Sequence, residues 1–281
     1  MKRNLIIAAA LILAGVSAWA QPKSFGEPKM LIKSSQNLMA PVWSPDGSKI
    51  AVTGDNYIGI FVANADGTQL QQVSGELGAG YKMSWKDAQN ITSTPYTVVN
   101  DRRMTRIEQV NTLTGERTEV VNAERNFKRS KAMNATPSVL QIMVDDPDNA
   151  TARIPALNAY KGKMIINPAL SPDGSKIAFQ IVSQGVWVCN ADGTNPVSLG
   201  KGSYASWLPD NENIMVARIK DNGEVFTSSD IYCVNTKTAS AMNITPNSEL
   251  IPITIAVSPD GSKVAFDNDT DGCIYVVDLK Y

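Results

Sequence analysis

The segment Trp43-Ser44-Pro45-Asp46-Gly47-Ser48-Lys49-Ile50-Ala51-Val52 returns with little change at residues 171–179 and 258–266, and once in worn form at 207–214. Each copy constrains the backbone in the same way. Proline presets the first turn angle and glycine accepts a positive φ, so the flanking strands must fold into a hairpin. The Lys-Ile-Ala-Val/Phe run that follows alternates β-branched and small positions, as a half-buried strand does. A second element follows: residues 59–68 match residues 185–194, both ending in Ala-Asp-Gly-Thr, with weaker matches from Asp230 and Gly272. Two turns and the runs between them make a four-stranded antiparallel meander, too small to bury both of its faces alone.

The spacing counts these units. From Ser44 to Ser171 is 127 residues, three steps of about 42, the length of a propeller blade. The next marked steps are 37 and 50 residues, and the two ends of the chain supply 47 more. The expected fold is therefore all-β: a six-bladed β-propeller of four-stranded antiparallel blades spanning residues 21–281. Its third blade falls on the strand-like runs 139–144 and 153–157. The chain stops after a third-strand motif at 273–278, and Met30 to Lys33 is a spare strand before the first unit. The ring is expected to close by that N-terminal strand completing the last blade, which removes an exposed edge.

Residues 1–20 read as a signal peptide: Lys2 and Arg3, an apolar run from Leu5 to Val16, then Ala18-Trp19-Ala20. Cleavage is expected after Ala20, with the mature chain in the periplasm and no membrane span, because the apolar run is too short for an anchor. Losing two cations moves the net charge from −1 to −3. The near balance of 26 basic and 27 acidic residues provides no field for nucleic acid. Cys189, Cys233 and Cys273 each lie in an apolar run and are expected as buried thiols, a Cys189–Cys233 bridge being the alternative. The chain has no histidine, which excludes Ser-His-Asp and Cys-His nucleophiles and H-E-x-x-H zinc sites.

The repeated Ser-Pro-Asp-Gly-x-x-[Ile/Val]-Ala-[Phe/Val] and Asp-Gly turns resemble the TolB-type propeller family across nearly the whole of residues 28–281. The resemblance implies a six-bladed propeller of the bacterial envelope, with a cell-envelope protein or peptidoglycan-associated component as partner. Only 23 residues separate the expected cut from the first unit, so the α/β domain that precedes the TolB propeller has no counterpart here. Oligogalacturonate lyases carry a similar repeat but use histidines to hold a metal, and prolyl-peptidase relatives add a hydrolase domain. Neither chemistry transfers to a histidine-free chain of this length. The expected function is that of a non-catalytic, monomeric binding or scaffold protein, with no cofactor beyond a structural calcium. The alternative is a histidine-free carbohydrate-binding or carbohydrate-active propeller whose ligand is a glycan.

Candidate residues follow from the loops. The aspartates of the repeated turns are read as structural, and the opposite face carries the irregular connections where function usually sits. Arg102 and Arg103, with Phe127, Lys128 and Arg129, form a candidate positive patch for an acidic partner. Tyr81 and Tyr204 precede first strands and are expected at the channel mouth, and Phe226 with Val225 is a candidate apolar anchor. Asp267, Asp269 and Asp271, with Asp278 beyond Gly272, have the alternating spacing by which a loop wraps calcium. Trp43, Trp85 and Trp207 recur with the repeat and are expected to pack between blades.

Overall fold

The computed structural model describes residues 22–125 and 137–281. The expected signal segment and Phe127, Lys128 and Arg129 lie outside the described residues.

Two short strands, β1 (Ser24–Phe25) and β2 (Lys29–Ile32), come first. Sheet I is β3 (Leu38–Trp43), β4 (Lys49–Gly54), β5 (Ile60–Asn64) and β6 (Gln71–Ser74), in that order. Sheet II holds β7 (Ser84–Trp85), β8 (Asn90–Ser93), β9 (Tyr96–Val99), β10 (Arg102–Asn111) and β11 (Arg117–Glu124), with β8, β9 and β11 all pairing with the long β10. Helices α1 (Val139–Asp145) and α2 (Ala150–Arg153) and a 3-10 segment (Pro155–Tyr160) follow. Sheet III is β12 (Ile165–Leu170), β13 (Lys176–Ile181), β14 (Gly185–Asn190) and β15 (Val197–Gly200). Sheet IV is β16 (Ser203–Trp207), β17 (Asn213–Asp221), β18 (Phe226–Asn235) and β19 (Ala241–Asn243). Sheet V is β20 (Pro252–Val257), β21 (Lys263–Asn268) and β22 (Ile274–Lys280), and both β1 and β2 pair antiparallel with β22.

The described residues thus make an all-β propeller of five blades, not the expected six. The missing blade is the helical segment. Its apolar run has the pattern of a strand, but Ser138 caps a helix by accepting the amide of Gln141 at 3.2 Å. Met143, Ile154 and Leu157 then turn inward onto Ile165, Ile177 and Phe179 of sheet III. A helix face buries those side chains against a sheet edge as well as a strand would.

The first strands of neighbouring sheets touch one another: β7 with β3, β3 with β20, β20 with β16, and β16 with β12. The core lies between sheets. Trp43, Ile50, Val52 and Phe61 of sheet I, for example, pack with Ala256, Ala265 and Ile274 of sheet V.

The repeated turn is self-contained. Ser44 Oγ donates to Asp46 Oδ1 at 2.6 Å and accepts the Lys49 amide at 2.9 Å, and Asp46 also accepts the Ser48 amide at 3.1 Å. The same set recurs at Ser171 and Asp173 and at Ser258 and Asp260. In the worn copies Asp210 and Asp87 keep the role, accepting two backbone amides each, with Asn213 and Asn90 replacing the lysine. Asn211 adopts φ 57° where the close copies have glycine.

Tryptophans join the sheets. Trp43 Nε1 donates to the Ala256 carbonyl at 3.1 Å, Trp85 Nε1 to Val42 at 3.0 Å and Trp207 Nε1 to Ala169 at 2.9 Å. Each indole reaches the carbonyl just before the last residue of the preceding sheet's first strand. Cys189, Cys233 and Cys273 are buried, free thiols.

Candidate functional site

A defect repeats in the first strands. Three residues before the strand end, Ala40, Lys82, Asn167 and Tyr204 all take φ near +50°, between 52° and 53°. Register shifts flank Ala40, Asn167 and Tyr204, and another flanks Thr254 at the equivalent place in β20. Such bulges re-aim side chains without breaking the sheet. They bring equivalent positions together, since the Ala40 amide donates to Thr254 Oγ1 at 3.1 Å across the junction of sheets I and V.

Loops at that same end of the sheets build a cavity of about 800 Å³. It draws on the β4–β5 turn (Asn56, Tyr57), the approach to β7 (Gly78, Tyr81, Lys82), the wall of sheet II (Tyr96, Arg103) and the end of α1 (Val144, Asp145). The β4–β5 turn and the β6–β7 connection lie at the strand ends opposite the Ser-Pro-Asp-Gly turns. Tyr57 and Tyr81 meet edge to face, with centroids 5.1 Å apart and planes at 72°. Lys82 Nζ lies 5.2 Å from the Tyr81 ring centre, and the Arg103 guanidinium carbon 3.9 Å from that of Tyr96. Tyr96 is held from behind by its amide donating to Leu77 O at 2.9 Å, and Gly78 leaves room for its ring: a Cβ there would stand 2.7 Å from Tyr96 Cδ1. Neither Lys82 nor Arg103 forms an ion pair among the described residues. A guanidinium stacked on one face keeps its N–H edges available, in the forked geometry that fits a carboxylate.

Beside the cavity lies Asp267, 7% exposed. Its Oδ1 accepts the Thr254 amide at 2.7 Å and the Thr254 hydroxyl. Burial pushes its carboxyl up to about 6 against the pull of these bonds. Tyr57 and Tyr204 are raised above the usual phenol value, chiefly by burial and then by neighbouring negative groups, Asp267 among them. Both remain neutral phenols, able to donate or accept a hydrogen bond.

The expected residues are thus sorted. Tyr81 and Arg103 line one cavity. Tyr204 sits at a bulge near Tyr57 and Asp267. Arg102 is exposed next to Arg103 on β10, and neighbours along a strand face opposite sides. Arg106, further along β10, is committed elsewhere: it pairs with Glu108 at 3.0 Å and Glu76 at 3.3 Å. Phe226 lies apart, at the tip of the β17–β18 hairpin, 40% exposed.

The four proposed calcium ligands do not converge. Asp267 is occupied by Thr254. Asp271 is partly buried, which raises its carboxyl, yet bonds from the Cys273 amide, the Tyr275 hydroxyl and Asn268 hold it below the usual value. Asp278 pairs with Lys263 and Lys29. Among the described residues no group of three or more acids and cysteines is placed to hold a metal. The alternating spacing instead runs from the end of β21 into the turn before β22, where Asp267 and Asp271 each bond to protein groups of their own.

Tyr57, Lys82 and Tyr96 were not singled out from sequence. Tyr57 lies in an irregular turn and Tyr96 in β9, which no repeat marks, and Lys82 shares its backbone position with Ala40, Asn167 and Tyr204 but no residue type with them, so the nearest signal is the tyrosine at 81.

No family model matches this chain, and no curated protein matches it. Solved structures similar to it include an oligogalacturonate lyase in complex with manganese, at 14% identity over 92% of this chain and 80% of that one, with a TM-score of 0.41. Another is an oligogalacturonate lyase from Vibrio parahaemolyticus, at 11% identity over 92% of this chain and 98% of that one, TM-score 0.43. A third is the β-propeller domain of Cps50 (Swd1) from Myceliophteria thermophila, at 10% identity over 88% of this chain and 85% of that one, TM-score 0.44. Among the described residues no helix is long and apolar enough to cross a membrane.

Proposed function

We propose that this chain is an exported, TolB-like propeller that binds an acidic carbohydrate of the cell envelope in the tyrosine-lined cavity. One observation carries the reading: Arg103 stacked on Tyr96 and Lys82 set over Tyr81, two cations and two aromatic rings lining one cavity of about 800 Å³. Aromatic faces suit the apolar faces of sugar rings, and a guanidinium edge suits a uronate carboxylate. Calorimetry of the mature chain against an oligouronate and a neutral oligosaccharide of equal length tests this. The oligouronate binds, and Arg103→Ala weakens it at least about tenfold, the loss of one charge-assisted contact. Equal binding of the neutral sugar, or an unaffected Arg103→Ala, sinks the reading.

A carbohydrate-active version is favoured by Asp267 alone, a carboxyl that burial pushes up to about 6 beside two neutral tyrosines. It requires new reducing ends from the oligouronate and their loss in Asp267→Asn. Binding without turnover leaves the non-catalytic reading.

A further inference from the structure

The β17–β18 hairpin has the longest paired strands of sheet IV, with register running from Asn213↔Asn235 out to Asp221↔Phe226. Its outer part, from Lys220 to Ser228, is exposed. The turn is rigid nonetheless. Asn222 Oδ1 accepts the Glu224 amide at 3.0 Å and the Val225 amide at 2.9 Å, and Asp221 accepts the Gly223 amide at 3.0 Å. A turn tied in this way holds Val225 and Phe226 out in solvent, 61% and 40% exposed. Asp269, from the β21–β22 loop of sheet V, closes the far side, so the two sheets together wall a cleft of about 350 Å³. Three carboxylates, Asp221, Glu224 and Asp269, surround the apolar pair. None of the three forms an ion pair among the described residues. One lysine, Lys220, borders them on the hairpin.

We infer that this cleft docks a cationic peptide segment of a partner protein, in which an apolar side chain is flanked by lysine or arginine. The charge decides the occupant: an apolar anchor alone would accept any apolar partner, but three carboxylates around it reject acidic segments and select basic ones. The fixed turn adds to affinity because little ordering is lost on binding. This surface is separate from the tyrosine-lined cavity, and its partner has the opposite sign.

The test is selection from a random peptide library on the immobilised mature chain, followed by anisotropy titration of the selected peptides. Peptides with an apolar residue between lysines or arginines should be enriched. Phe226→Ser and Glu224→Lys should each weaken them at least about tenfold, and raised salt should slow their association. Both residues are exposed at a tip, so the variants should melt as the parent does, and a melt confirms that they are folded. The inference is overturned if the selected peptides are not basic, or if they bind both variants as well as the parent. It is overturned equally if calcium alone displaces them, which would make the carboxylates a cation site, or if sedimentation shows the tip occupied by a second copy of the chain.

Discussion

Single residues carry the joints between sheets. The Trp43 indole is 7% exposed and its N–H finds the Ala256 carbonyl of sheet V. Trp43→Phe keeps most of the apolar bulk and deletes that one bond between sheets, so unfolding in urea should show a loss of about 0.5–1.5 kcal/mol with an unchanged m-value. Asp267 makes a pH-dependent prediction. Its carboxyl is raised to about 6 in the fold from a reference of 3.8, so the native state holds the proton more tightly than the unfolded chain. The charged form therefore costs stability above pH 6, and that cost is relieved as pH falls from 6 toward 3.8. Relative to Asp267→Asn, the parent should gain up to about 3 kcal/mol between pH 7.5 and pH 4. A constant difference between the two proteins across that window counts against the assignment. The thiols make a third prediction. Burial pushes Cys189 up to about 12, and all three cysteines are buried, so a thiolate-directed alkylating reagent should label none of them until denaturant is added.

Elements were legible in the sequence where the chain repeats. The Ser-Pro-Asp-Gly hairpins and the Asp-Gly-Thr turns have their hydrogen bonds closed within a few residues, so local chemistry dictates them wherever the motif occurs. Residues 139–157 were not legible, because a short apolar run reads alike as buried strand and buried helix. What distinguishes them is Ser138 as a cap and the i, i+4 pairing of Val139 with Met143, which places both toward sheet III. The site was half legible. Tyr81 and Arg103 came from reading irregular loops, whereas Tyr57 and Tyr96 reach the cavity only through a turn and a β9 strand that no repeat marks. Gly78 tests how far the cavity depends on its wall. A methyl group there meets the Tyr96 ring at 2.7 Å and must also adopt φ 70°. Gly78→Ala should therefore weaken oligouronate binding by displacing the Tyr96 ring and with it the guanidinium of Arg103 stacked on it, a shift to be read by calorimetry beside Arg103→Ala.

At the scale of the whole molecule, the first and last parts of the chain share one sheet: Lys29 to Ile32 run antiparallel to Ile274 to Val276. This pairing is locked from sheet I, where Gly67 at φ 83° would bring a Cβ to 1.9 Å from the Leu31 carbonyl. Gly67→Ala should push β2 away from its place. The expected result is faster amide hydrogen exchange across Lys29 to Ile32 and a global destabilisation of about 2 kcal/mol or more. Unchanged exchange in that strand counts against the lock. The tryptophan joints carry a final consequence. Trp43, Trp85 and Trp207 each need a first-strand carbonyl in the sheet before their own. Sheet III has a helical segment before it instead of a sheet, and its first strand ends in Leu170. The indole is thus one way of joining and not a requirement: β20 ends in Val257, whose amide donates to Ser206 Oγ of sheet IV at 3.0 Å, so a joint between neighbouring first strands is also written with a hydroxyl, and a sector can change its fastening without leaving the ring.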